Sequence, residues 1–417
     1  MEATTFYQHI LGLEAPWAVV AVTLDCDTAT ITLRLAHPPQ CASFACPNCQ
    51  QAAPVYDHHA PRTWRHMDTC QWQTFLVAAV PRVACPQCGV RTVSVPWAEP
   101  FGRFTRLFER LAIDLLLACQ VQRRVAQLLR LTATQVNYLQ RKAVARGLAR
   151  RDPQQPLRHL TLDEKSLLKG QHYVTILGDG SAGCVLEVVE HRTKEATRDL
   201  LTRGLSAEQK KGVRVVTLDM WQAFGTVVGE ELPAAEVVHD RFHLSGYLNG
   251  AVDKTRRAEN KRLRAQQPTD ESLKGTKYLW LRSPESREEK HEQELSELCG
   301  RPEKLATVQA WELKEQFREF FACATREAAE QFFGDWRQRV KELGNRHLEA
   351  VAKMFEEHWE GLVTYTKHQV TNGLAESLNG RIQQLKAKAR GFRRAAGYRV
   401  AILFHLGGLD LYPHTLR

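Results

Sequence analysis

Four of the chain's eleven cysteines fall into two knuckles of the same form, Cys46-Pro47-Asn48-Cys49 and Cys85-Pro86-Gln87-Cys88. A two-residue spacer lets one tight turn aim two thiolates at a single ion, and tetrahedral zinc takes four such soft ligands. In a reducing compartment these thiols stay free for metal, so the pattern speaks against a disulfide scaffold. It predicts one structural Zn²⁺ held by Cys46, Cys49, Cys85 and Cys88 in a β-rich domain over residues 1–98. Trp17–Leu35 alternates apolar and small polar residues and is read as one or two short strands; Gln73–Val83 is read as a strand pair leading back to the second knuckle. The neighbouring Cys41, His58, His59, His66 and Cys70 are taken as core or surface residues.

Of 417 residues, 43% are hydrophobic and 8% aromatic, which excludes disordered and collagen-like classes and leaves room for two to four domains. No run approaches the roughly 18 consecutive apolar residues of a membrane span, and Met1–Ile10 lacks the basic start and apolar core of an export signal. A soluble, cytoplasmic protein without a membrane partner is expected. The formal net charge is +10, and it is unevenly placed. Between Arg106 and Arg151 lie ten basic residues and only two acids, Glu109 and Asp114; between Ser377 and Arg399 lie seven basic residues and none. The remainder of the chain is therefore net negative. Localised basicity of this kind neutralises phosphates, which makes double-stranded DNA the expected partner.

After Pro96–Pro100, Leu107, Leu111 and Leu115 mark a helix, Arg123–Leu131 a second, and Thr132-Ala133-Thr134-Gln135 is a capping box that starts a third. Val136, Leu139 and Ala143 would face its core, leaving Gln135, Asn137, Tyr138, Gln140, Arg141 and Lys142 outward. Amides and cations on the last helix of a basic three-helix unit suit major-groove reading, so residues 99–152 are expected to be a helix-turn-helix domain with Arg123, Arg124, Gln135, Asn137, Tyr138, Arg141 and Lys142 at the DNA.

From Arg158 the pattern changes. His159–Asp163, His172–Leu177, Cys184–Val189, Arg214–Asp219 and Glu236–Asp240 read as strands, with helices around Lys194–Leu205 and Trp221–Glu231. Three of these runs end in aspartate, at Asp163, Asp219 and Asp240, and carboxylates at strand ends point into the crevice at a sheet edge. Further on, Leu374, Leu378, Ile382 and Leu385 recur at helical spacing as a buried stripe, with Asn372, Glu376, Asn379 and Gln383 on another face. Two aspartates and a glutamate brought together repel unless cations sit among them. Two Mg²⁺ or Mn²⁺ ions would relieve that and suit phosphodiester chemistry. The basic run that follows adds Arg381, Lys386, Lys388, Arg390 and Arg393 as DNA contacts. Between the acids, residues 250–360 hold 21 basic and 22 acidic residues, the balance of solvated amphipathic helices. Leu313, Phe317, Phe321, Ala324, Ala328, Phe332, Trp336 and Val340 form one long apolar stripe there, read as core or a dimer seam, and Trp280, Trp311 and Trp336 are assigned to packing.

This layout resembles the DDE transposases, and among them the ISL3 family of insertion sequences. The resemblance rests on the paired knuckles, the helix-turn-helix, Leu162-Asp163-Glu164-Lys165-Ser166, Leu218-Asp219-Met220-Trp221, Asp240-Arg241-Phe242-His243, Asn372 through Glu376 to Asn379, and the basic run Lys386–Arg393. It implies a multidomain α+β protein: zinc ribbon, helix-turn-helix, and an RNase H-like α/β core over 157–248 and 365–417, interrupted by an α-helical insertion over 249–364. It also implies Asp163, Asp219 and Glu376 as catalytic acids and magnesium ligands, with Asp240, His243, Asn372 and Asn379 accessory; Asp240 competes for the second place. The expected activity is magnesium-dependent cleavage and strand transfer at the terminal inverted repeats of a mobile element, into target DNA, by a homodimer or larger assembly of a prokaryotic, nucleoid-associated protein. An inactive DNA-binding regulator and a nuclease or resolvase are the rivals. No Gly-x-x-x-x-Gly-Lys-Ser/Thr occurs, which argues against a P-loop NTPase.

Overall fold

The computed structural model describes residues 2–168, 172–301, 304–368 and 373–414, without the side chains of residues 285, 373, 375 and 376. The chain divides into two compact units, Met1–Arg151 with Lys388–Arg390 and Gly408–Arg417, and Asp152–Ala387 with Gly391–Gly407. No helix among the described residues is long and apolar enough to cross a membrane.

In the first unit, α1 (Ala3–Ile10) packs on a sheet ordered β1-β2-β6-β5, formed by β1 (Ala18–Asp25), β2 (Thr30–Ala36), β5 (Arg62–Arg65) and β6 (Gln73–Ala78). A second sheet, ordered β3-β4-β7-β8, takes β3 (Ser43–Ala45), β4 (Ala52–His58), β7 (Pro81–Cys85) and β8 (Gly89–Thr92). Trp17, Leu33, Trp64, Leu76 and Val83 fill the core they share. The strand pair expected over Gln73–Val83 is thus two strands of different sheets, because β6 is taken by β2 and β5 while β7 pairs with β4 and β8.

Three helices follow: α2 (Arg106–Cys119), α3 (Gln122–Leu129) and α4 (Ala133–Ala149). Thr132 and Gln135 form the reciprocal capping box at the start of α4. Val136, Leu139 and Ala143 are buried as the spacing requires. Residues 408–414, grouped by sequence with the catalytic core, belong to this unit. Arg146 donates to the Leu411 carbonyl at 2.6 Å, Arg150 to Asp410 at 2.8 Å, and Tyr412 to Asp114 at 2.7 Å. Gly147 makes room for the strap, since a Cβ there would lie 2.6 Å from that of Leu409.

The second unit is built on a five-stranded sheet ordered β11-β10-β9-β12-β13. β9 (His159–Ser166), β10 (Tyr173–Asp179) and β11 (Cys184–Glu190) run antiparallel as a meander; β12 (Val215–Leu218) then adds parallel to β9, and β13 (Glu236–His239) parallel to β12. The crossovers contain α5 (Lys194–Gly204) with α6 (Ala207–Gly212), and α7 (Gln222–Glu231). All five expected strands are present. One difference concerns Asp163, which does not end its strand: β9 continues because Glu164, Lys165 and Ser166 still pair with Thr175, Val174 and Tyr173.

Helices α8 (Arg241–Gln266), α9 (Lys277–Leu281), α10 (Glu289–Cys299), α11 (Ala306–Gln316), α12 (Arg326–Leu343), α13 (Arg346–Glu357) and α14 (Trp359–His368) share one apolar core that includes Trp280, Phe317, Trp336 and Phe355. The single long stripe expected here is broken. A 3₁₀ segment over Phe317–Ala322 and a fresh N-cap at Thr325 reset the phase, so Ala329 and Phe333 are buried while Ala324 and Ala328 are exposed. Two further helices, α15 (Gly373–Lys388) and α16 (Ala395–Leu406), complete the unit. In α15, Leu378, Ile382 and Leu385 are buried, but Leu374 is 48% exposed.

Candidate active site and metal centre

Strand register brings the acids together. Leu218 pairs with Leu162 on one side and with His239 on the other, so the next residues, Asp163, Asp219 and Asp240, lie side by side across three adjacent strands. Neighbouring strands are about 4.8 Å apart, which is close for three carboxylates. The imidazole of His243, on the first turn of α8, stands among them: its ring nitrogens lie 3.6 Å from Asp219 Oδ2, 4.0 Å from Asp163 Oδ1 and 4.0 Å from Asp240 Oδ2. Asp240 also caps α8, accepting from the Phe242 N–H at 2.7 Å, and this fixes the turn that presents His243. Lys165 Nζ sits 2.7 Å from Asp163 Oδ2.

The sequence reading missed Tyr247 and Arg192. Tyr247, one turn after His243, donates to Asp219 Oδ1 at 3.2 Å; burial, with Asp219 beside it, pushes the phenol up to about 12. The four-residue spacing to His243 was the available signal. Arg192 pairs with Glu164 at 2.8 Å and covers Trp221 at 4.1 Å. Burial raises the Glu164 carboxyl above its usual range; Arg192 opposes this, while Asp219 and Asp163 add to it. Asn379, on α15, lines a small cavity with Asp163, Asp240 and Leu378. Asn372 and the side chain of Glu376 lie outside the described residues.

In the first unit the cysteine Sγ atoms of residues 46, 49, 85 and 88 lie within 4.8 Å of one another, and among the described residues no other group of three or more potential ligands does so. A tetrahedron with Zn–S bonds of about 2.3 Å has edges of about 3.8 Å, so the cluster needs little adjustment to close on zinc. Backbone N–H groups of Cys49 and Asn48 point at Cys46 Sγ and lower its thiol to about 7, favouring the thiolate. The neighbouring groups have other partners. His37 and His58 lie nitrogen to nitrogen at 3.0 Å, His59 meets Thr92, and the buried His66 meets Thr105 Oγ1 at 2.9 Å.

Helix α4 exposes Gln135, Tyr138 and Arg141, with Asn137 half-buried; Arg123 and Arg124 are exposed on α3. Two residues depart from their expected outward placement. Gln140 is buried and accepts from Gln122, and Lys142 is drawn inward by Glu109 and by Glu99 at 3.0 Å. Arg146 joins the same acids, and these cations outweigh burial to hold Glu99 down at about 2. On the later basic run Arg381, Lys388, Arg390 and Arg393 are exposed, Lys386 donates to the Ser166 carbonyl at 2.6 Å, and Arg399 is committed to the buried Glu187. Several cations of the two basic segments are thus already paired within the protein.

The family model DDE_Tnp_ISL3, described as a transposase, matches residues 160–402, the whole span of the sheet and its acids. The chain belongs to the ISL3 family of transposases. A second model, described as the zinc finger of the IS204/IS1001/IS1096/IS1165 transposases, matches residues 42–88 and takes in all four clustered cysteines. The transposase for insertion sequence element IS1001 of Bordetella parapertussis is 25% identical, covering 87% of this chain and 88% of its own. The transposase for insertion sequence element IS1557 of Mycobacterium tuberculosis is 26% identical, over 94% and 93%.

Proposed function

We propose that this transposase binds the ends of its own insertion sequence, cuts them in a magnesium-dependent reaction, and joins the freed 3′-hydroxyl to target DNA. The observation that carries the proposal is the convergence of Asp163, Asp219 and Asp240 on one imidazole at the edge of a sheet. The order of that sheet, a three-stranded meander extended by two parallel strands, supports an RNase H-like core. The basic three-helix unit with its capping box supports a helix-turn-helix.

Asp163 and Asp219, with Glu376 as third acid, are the residues that would hold Mg²⁺ or Mn²⁺. Their donor set is hard carboxylate oxygen, which fits those ions. Bound there, such ions would supply activation of a water or 3′-hydroxyl and charge neutralisation at the leaving oxygen. The chain's own groups do the positioning. Tyr247 holds Asp219 from one side, Asp240 fixes the helix start that presents His243, and Lys165 offsets part of the mutual repulsion of the carboxylates. Asp219 is preferred as second acid because its side chain is the one held by Tyr247. Accessory roles fall to Asp240, His243, Asn372 and Asn379. DNA contacts fall to Arg123, Arg124, Gln135, Asn137, Tyr138, Arg141, Arg381, Lys386, Lys388, Arg390 and Arg393, and joining two ends requires at least two copies of the chain. The test is movement in cells of a marker flanked by the DNA that borders this gene. The intact protein should move it and Glu376→Gln should not; movement by the variant removes Glu376 from the site, and end binding without movement by either protein favours a DNA-binding regulator.

A further inference from the structure

A second concave site lies beside the acids, on the other face of the helix that presents His243. Along α8, His243 and Tyr247 form one stripe, facing Asp219; Arg241, Ser245 and Asn249 form another at the same four-residue spacing. That second stripe lines a cavity of about 190 Å³, closed from the far side by Lys314, Glu315 and Arg318. Among its described lining residues are three cations, Arg241, Lys314 and Arg318, and one acid, Glu315. Glu315 is held by Lys314 at 2.6 Å and Arg318 at 3.5 Å. The Arg241 guanidinium is steadied over the Phe321 ring at 4.7 Å. Lys314 is only 8% exposed and also donates to the Trp280 carbonyl at 2.9 Å. Asn249 Oδ1 is buried without a hydrogen-bond partner. Exchanging the amide oxygen and nitrogen, which are assigned from hydrogen bonding, would turn that orphan into a donor.

We propose that this pocket is a subsite for one backbone phosphate of the DNA strand being cut. Convergent guanidinium, ammonium, hydroxyl and amide groups are the chemistry that recognises a phosphodiester, and arginine supplies the planar fork that suits it. Stripes on opposite faces of a helix lie about 10 Å apart, the diameter of the helix. The subsite would hold the strand in register while the acids act.

This inference rests on the transposase reading, and the experiment separates the two. Equilibrium binding of the full chain to the DNA bordering its gene is measured against salt concentration for the parent and for Arg241→Gln/Arg318→Gln. The double variant should still bind, with a log–log salt slope smaller by about one and affinity roughly ten-fold lower at physiological salt. A slope equal to the parent's overturns the subsite. Ser245→Asp retains both arginines and adds a repelling charge; it should also bind about ten-fold more weakly, whereas Ser245→Ala should not, and parental binding by Ser245→Asp again overturns it. Melting temperatures equal to the parent's confirm that the variants are folded. If the parent itself binds these ends no better than unrelated DNA, the transposase reading falls and the subsite with it.

Discussion

Asp219 and Asp240 both approach His243, but they are used differently. The Asp240 side chain closes the first turn of α8, a task asparagine performs equally well. Asp219 is held by a phenol whose only evident use is to orient it. Asp240→Asn should therefore keep its fold and lose about ten-fold in strand cleavage, whereas Asp219→Asn should lose more than about a thousand-fold at unchanged melting temperature; the reverse order would move the second acid to Asp240. Removing only the hydroxyl, in Tyr247→Phe, should slow cleavage by about ten-fold, corresponding to about 1.4 kcal/mol, with end binding unaffected. A loss of binding instead would give Tyr247 a role at the DNA. Lys142 and Arg141 are adjacent in sequence and opposite in use. Lys142→Ala leaves the buried Glu109 with Arg146 alone and should cost about 1–3 kcal/mol of stability. Arg141→Ala should leave stability alone and reduce the salt slope of end binding by about one.

At the scale of elements, what was legible in the sequence is what local pattern alone decides. The capping box at Thr132, the five core strands and the two knuckles are each set by residues within a few positions of one another, and each is present. What the sequence did not reveal depends on distant partners. Lys142 looks solvated until Glu99 and Glu109 fold against it, and Arg399 counts as one more cation of the basic stretch until Glu187 meets it from β11. The apolar run from Leu313 to Val340 reads as one long stripe because its spacing persists, although Thr325 starts a new helix in another phase. Among the acids, three strand-end aspartates were visible, but the register that aligns them was not, and Tyr247 carried no signal beyond its spacing from His243. The strap at Gly147 is a further test of packing read from structure. Gly147→Ala should destabilise the first unit by about 1–3 kcal/mol, because the new methyl has nowhere to go against Leu409. An unchanged melting temperature would mean the strap yields freely.

At the scale of the molecule, two compact units make two separate stability problems. The first depends on its cysteine cluster: Cys46→Ser or a zinc-selective chelator should unfold this unit and abolish end binding, while the second unit keeps its own unfolding transition. Simultaneous loss of both would contradict independent folding. Each unit also buries a neutral histidine. Burial, reinforced by Arg65 for His66 and by His358 for His239, lowers each to about 4. The unfolded chain therefore takes up protons first, and stability present above pH 6.5 should be lost as pH falls towards 4, by roughly 2–3 kcal/mol per histidine. His66→Gln should flatten that slope for the first unit, as read from urea midpoints between pH 7 and 4.5. The strap has a consequence in time. Arg146 waits for the carbonyl of Leu411, 265 residues further along the chain. A ribosome that has finished α4 has released a three-helix unit without its clasp. The part expected to find DNA is thus completed only after the part expected to cut it has been made, and a message broken anywhere between the two would yield a first unit that never closes.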